Sequence, residues 1–210
     1  MTAVTVVEGF ILGFSIAAAV GPISLLVIRR TLAEGRIIGM VSGLGVATAD
    51  GLYGAVAAFG LTAITDVLVA WRQALALVGG AFLLWVAWRT FRSLPATDPA
   101  TAPTGDEARS RGLSGAYLST LALTLTNPMT IVSFAALFVG LGVTGDDAVS
   151  AAALTLGVFA GSVTWWVVLT SLVARLRSRI TARGLRWVNI ASGLAIGTFA
   201  IVAIAVALPS

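Results

Sequence analysis

Cysteine and histidine are both absent from this 210-residue chain. The first absence excludes disulfides and thiol redox chemistry. The two together remove the usual zinc and copper ligands, so no metal and no other cofactor is expected. They also remove the nucleophile, base and metal sets from which most active sites are assembled, and an enzyme is the least expected class. Charge is scarce too: 10% of residues are charged against 58% hydrophobic, and the mean hydropathy is +1.00. Soluble domains carry about 25% charged residues, so a chain this apolar needs a bilayer as its solvent.

What is present is a series of six apolar segments, over about 5–28, 37–63, 75–88, 115–141, 148–174 and 187–208. Five are long enough to cross the hydrocarbon as helices of roughly 20 residues. The third reaches that length by taking in Trp71 or Phe91. Lipid offers the backbone no hydrogen-bond partner, so each segment has to be helical, and the alternation of an outer-membrane barrel is missing. The expected fold is therefore an all-α integral membrane protein with six transmembrane helices. The first segment reads as a retained span, because Glu8 precedes it while Arg29 and Arg30 follow, the reverse of a secretory signal.

Lysine is absent as well, so the isoelectric point near 11.0 rests on arginine. All but Arg72 fall into three loops. Arg29, Arg30 and Arg36 follow the first segment; Arg89, Arg92, Arg109 and Arg111 follow the third; Arg175, Arg177, Arg179, Arg183 and Arg186 follow the fifth. The positive-inside rule makes these loops cytoplasmic and places both termini outside. Scattered arginines beside membrane spans fit topology and anionic lipid, and no nucleic-acid partner is expected.

Residues 93–114, SLPATDPATAPTGDEARSRGLS, have nothing to bury and read as a flexible cytoplasmic linker between two three-helix halves, 1–92 and 115–210. The halves echo each other. VGPISLLVI at 20 matches TNPMTIVSF at 126, LGVATAD at 44 matches LGVFAGS at 156, and VGGAFLL at 78 matches ASGLAIG at 191, at offsets of 106, 112 and 113 residues. An odd number of crossings per half makes the second half enter from the opposite side. The result is an inverted repeat, the arrangement in which secondary transporters hold substrate near the midplane. Small residues also recur every four positions: Gly39, Gly43, Ala47, Gly51 and Ala55 in the second segment, Ala153, Gly157 and Gly161 in the fifth, Gly193 and Gly197 in the sixth. Such ladders let helices approach closely, either within one subunit or at a homodimer seam.

Asp50 is the one charged side chain between Arg36 and Asp66. A carboxylate at a helix centre in lipid costs at least roughly 2.5 to 3.5 kcal/mol and marks an ion or substrate pathway by default. Gly43, Ala47 and Gly54 share its helix face, which turns it toward the bundle. It can exchange a proton as access alternates, or serve as counter-ion to a cationic substrate. The bland reading is an inert aspartate held by hydroxyls.

Two helix breaks accompany it. In Thr126-Asn127-Pro128 the asparagine can cap a new helix with Pro128 at its first position, and Gly21-Pro22 has the same form with glycine as the cap. The first and fourth helices are expected to be broken at these prolines. A half-helix N-terminus inside the membrane, with Ser24 beside the first break and Thr124 and Thr126 beside the second, is a place for a carboxylate. Thr120, Thr130 and Ser133 extend the polar stripe, although membrane hydroxyls commonly bond back to their own helix. Trp165 and Trp166 lie in mid-segment, as cavity aromatics or as packing; Trp85, Trp88 and Trp187 fit interfacial anchoring.

The runs GPISLLVIRRTLAEG, LGVATADGLYGAVAAFG, NPMTIVSFAALFVG and RWVNIASGLAIG together resemble the LysE/RhtB family of bacterial amino-acid exporters. The resemblance covers nearly the whole chain apart from the linker. It implies a six-helix protein of the bacterial plasma membrane that exports amino acids against entry of protons. It also implies that Asp50 corresponds to an aspartate of the lysine- and arginine-exporting branch. Ile23-Ser24 stands where that branch often has Gln-Asn, and Met129 where other members have Lys or Asn, departures that bear on the substrate. The expected function is a secondary transporter for an amino acid, with Asp50 and Asn127 at its site. A hard-cation exporter or channel and a purely structural membrane subunit are the rival classes.

Overall fold

The computed structural model describes residues 2–19, 21–59, 67, 70–92, 106–127, 129–134, 147–177 and 181–207. Among these, all regular structure is helical. The elements are α1 (Thr2–Ala18), α2 (Pro22–Glu34), α3 (Arg36–Ala58), α4 (Arg72–Arg92), α5 (Asp106–Leu125), α6 (Ala148–Arg177) and α7 (Ala182–Ala207). A short helical stretch over 129–134 follows α5. The third apolar segment gains its length within α4, which takes in Phe91. Helix α5 starts at Asp106, inside the stretch read as linker; residues 93–105 lie outside the described residues.

Helices α1 and α2 meet at 78° across the Gly21-Pro22 break. Gly21 is extended backbone and Pro22 opens α2, where its missing N–H costs nothing. One residue, Gly35, then joins α2 to α3. Its φ of 104° lies in the left-handed region where a Cβ is strained, so glycine ends one helix and starts the next without an intervening loop.

Helices α3 and α6 are each long and apolar enough to cross a bilayer, and α1 with α2 would form a third, bent span. Shorter apolar cores run over Gln73–Trp88, Gly112–Leu125 and Arg186–Val202. At 30 residues α6 is about 45 Å long, more than the roughly 30 Å of hydrocarbon, so it tilts or projects. The partition of side chains is that of a membrane protein. Large apolar residues such as Ile11, Leu156, Leu194 and Ile201 are exposed, whereas Ser42, Asp50, Thr120, Ser162 and Thr170 are buried.

Helix α1 packs on α6, α3 lies between α5 and α6, and α4 packs on α7. Glycine sets the closest crossing. A Cβ on Gly13 would stand 2.0 Å from the Val158 carbonyl oxygen, and one on Gly161 2.1 Å from that of Phe10. Gly9 and Gly157 face backbone in the same way, at 2.4 Å from Leu154 O and 2.3 Å from Val6 O. The ladder of the second segment is also filled from within the chain: Gly39 faces Thr31, Gly43 faces Trp166 and Gly51 faces Phe159.

Candidate functional site

Asp50 lies on the face of α3 that α6 covers and is 2% exposed. Its carboxylate Oδ2 accepts a hydrogen bond of 2.7 Å from the hydroxyl of Ser162, itself fully buried on α6. Among the described residues no cation pairs with Asp50. On either side along the α3–α6 contact, Gly43 admits Trp166 and Gly51 and Gly54 admit Phe159 and Val158.

Each helix break is linked through side chains to a turn of α3 that flanks Asp50. Ile23, one residue into α2, belongs to the apolar cluster that holds Ala47 and Trp166, Ala47 being one turn before Asp50. Tyr53, one turn after Asp50, reaches the other break: its hydroxyl donates to the Leu125 carbonyl at 2.6 Å and its ring stacks on Phe134 at 5.5 Å. That carbonyl is free because the N–H four residues on, Met129, bonds to the Asn127 side chain at 3.1 Å instead. Asn127 therefore caps the 129–134 stretch as the sequence pattern predicts, while Pro128 lies outside the described residues.

The two breaks differ in what they leave open. Gly21 gives α2 no side-chain cap, and a Cβ built on it has no heavy atom of the described residues within 4 Å. Ser24, in the first turn of α2, makes a long contact of 3.5 Å to the Ala19 carbonyl. At the second break Thr124 bonds back to Thr120 O and Thr126 to Ala122 O, the usual fate of membrane hydroxyls. Trp166 is buried and Trp165 stands edge-on to Phe14 at 5.4 Å. Both indole N–H groups are buried without a hydrogen-bond partner among the described residues.

Farther along the bundle the arginines on either side of the α2–α3 junction reach inward. Arg30 donates to Ser42 at 3.0 Å and across to α5, to Ala116 O at 3.1 Å and Ser119 at 2.8 Å. Arg29 donates to Asn189 on α7 at 3.3 Å and Arg36 to Ser171 on α6 at 3.0 Å. The end of α2 and the start of α3 are thus tied to α5, α6 and α7. Sequence reasoning took these arginines as topology markers and missed their reach. It also missed Ser162 and Tyr53, whose hydroxyls carry no charge to stand out in an apolar run.

The chain matches the family model of the LysE type translocator over residues 14–206. It is 31% identical over 112 residues to the uncharacterized membrane protein YahN of Escherichia coli (strain K12). That match takes in 53% of this chain and 49% of YahN, so the chain spans about half the length of that relative. No solved structure matches the chain.

Proposed function

The chain belongs to the LysE type translocator family, and we propose on that premise that it exports a basic amino acid such as lysine or arginine, or a related small amino acid, against entry of protons. The observation that carries this reading is Asp50, a carboxylate buried in the bundle with one neutral hydroxyl as its partner among the described residues. A structural role would not repay keeping that group in oil. A positive charge that comes and goes, a proton or a substrate cation, accounts for it.

The six spans form two inverted three-helix halves in this reading. The order of helix contacts supports it: exchanging the halves turns the α1–α6 contact into the α5–α3 contact and returns α3–α6 and α4–α7 to themselves. The arginine loops face the cytoplasm and the termini lie outside. The carboxylate of the substrate rests at the open N-terminus of α2, where the dipole and free N–H groups favour an anion. The second break is the poorer place, since Asn127 already fills it. The substrate's cationic group then faces Asp50.

One carboxyl holds one positive charge at a time, so the exchange is one for one. With a cationic amino acid it is electroneutral and draws about 1.4 kcal/mol per pH unit from the proton gradient. With a zwitterion it moves net charge, and the membrane potential adds about 2.3 kcal/mol per 100 mV. Efflux of labelled amino acids from proteoliposomes tests this, with the pH gradient and the potential imposed separately. Accelerated efflux of lysine or arginine by the pH gradient alone is the expected result. Flux that needs a divalent metal and ignores pH would favour a cation exporter.

A further inference from the structure

Asp50 and Ser162 occupy the same place in the two halves. Laid together at the offset of 112, LGVATAD over 44–50 and LGVFAGS over 156–162 end on these two residues. In the folded chain the same two side chains meet, at 2.7 Å. Two positions related by a two-fold can touch each other only on its axis. A second pair of equivalent glycines supports that two-fold independently. Gly45 and Gly157 are also 112 apart; a Cβ on the first would stand 2.4 Å from Tyr117 O on α5, and on the second 2.3 Å from Val6 O on α1. Tyr117 and Val6 are themselves 111 apart. The same crossing is therefore built twice, once on each side of the Asp50–Ser162 contact.

We propose that Ser162 is the positioning residue of Asp50, and that their place on the pseudo-two-fold axis makes the two positions exchangeable. This rests on the reading of Asp50 as the coupling carboxyl of an inverted-repeat exporter. In such a protein the outward- and inward-facing states arise by exchanging the conformations of the halves. A pair on the axis keeps its contact in both, so Ser162 holds the carboxyl at the same place whichever side is open. A hydroxyl suits this because it donates to a carboxylate and accepts from a protonated carboxyl. The pair survives both protonation states.

The test compares proton-driven lysine and arginine efflux in proteoliposomes for the native protein, Asp50→Asn, Asp50→Ser, Ser162→Ala, Ser162→Thr and the exchanged double variant Asp50→Ser with Ser162→Asp. Removal of a hydrogen bond to a charged group predicts a loss of roughly tenfold to a hundredfold for Ser162→Ala. Ser162→Thr, which keeps the hydroxyl, restores most of the activity, and the exchanged variant regains what Asp50→Ser alone loses. A role in packing alone gives no such rescue. Native transport by Ser162→Ala overturns the proposal, as does an exchanged variant that is monodisperse and as inactive as Asp50→Ser. If the exchanged protein does not fold, Ser162→Ala against the native chain decides. Normal transport by Asp50→Asn would instead sink the reading of Asp50 itself, whatever Ser162 does.

Discussion

Helix α1 meets α6 as α5 meets α3, yet the two crossings are made from different chemistry. At the first, Gly9 and Gly13 lie against Gly157 and Gly161 so closely that backbone faces backbone. At the second, among the described residues, Gly45 alone makes such an approach, and hydroxyls do the rest: Thr120 donates to Ser42 O at 2.7 Å, Tyr117 to Thr48 at 3.0 Å and Tyr53 to Leu125 O at 2.6 Å. Arg30 adds its bonds to Ala116 and Ser119. A glycine seam has one fit and no slack, whereas hydroxyl and guanidinium contacts can break and re-form one at a time. The contrast makes the α1–α6 crossing the tighter of the two and the α5–α3 crossing the polar one.

The largest effect is expected from breaking the tight crossing. Gly13→Leu drives a side chain into the Val158 backbone, which cannot step aside as a side-chain tip can, and the cost exceeds the roughly 1–3 kcal/mol of ordinary overpacking. Little monodisperse protein should survive detergent extraction. At the polar crossing the effects are smaller. Tyr53→Phe keeps the stacking on Phe134 but leaves the Leu125 carbonyl without its donor, a loss of about 1–3 kcal/mol that thermal unfolding in detergent would show. Thr120→Val removes one inter-helix bond to a carbonyl and should cost about 0.5–1.5 kcal/mol in the same assay.

The smallest effect lies at the start of α6. Asp147 accepts hydrogen bonds from Val149 N–H at 3.0 Å and from the N–H and hydroxyl of Ser150. The Ser150 hydroxyl first, then the Val149 N–H, hold its carboxyl below the usual carboxylate range. Because the folded value is lowered, its contribution is present above that range and disappears as the pH falls through the lowered value. Asp147→Asn should therefore differ slightly from the native chain in unfolding at neutral pH and converge with it in acid.

Much of this arrangement was legible in the residues. Apolar length marks the helices, Gly21-Pro22 and Asn127 mark where two of them restart, and the small residues around Asp50 turn it inward. Gly157 and Gly161 stood out as a ladder; their partners Gly9 and Gly13 did not, because a lone pair of glycines in one helix is no pattern until the opposing backbone is known. Ser162 escaped for another reason. A serine costs little in an apolar helix, and its meaning depends on a carboxyl 112 positions away. The arginines on either side of the α2–α3 junction show their charge in the sequence but not their reach, which the folded positions of Ser119, Ser171 and Asn189 define.

The central claim is that Asp50 carries a proton one way and frees a substrate the other. The most direct measurement is the internal pH of proteoliposomes, followed with a trapped dye while a lysine or arginine gradient is imposed. For the native protein the account predicts a pH change in proportion to the amino acid moved, one proton for each molecule. For a folded Asp50→Asn protein it predicts none. An equal pH change in both would contradict it.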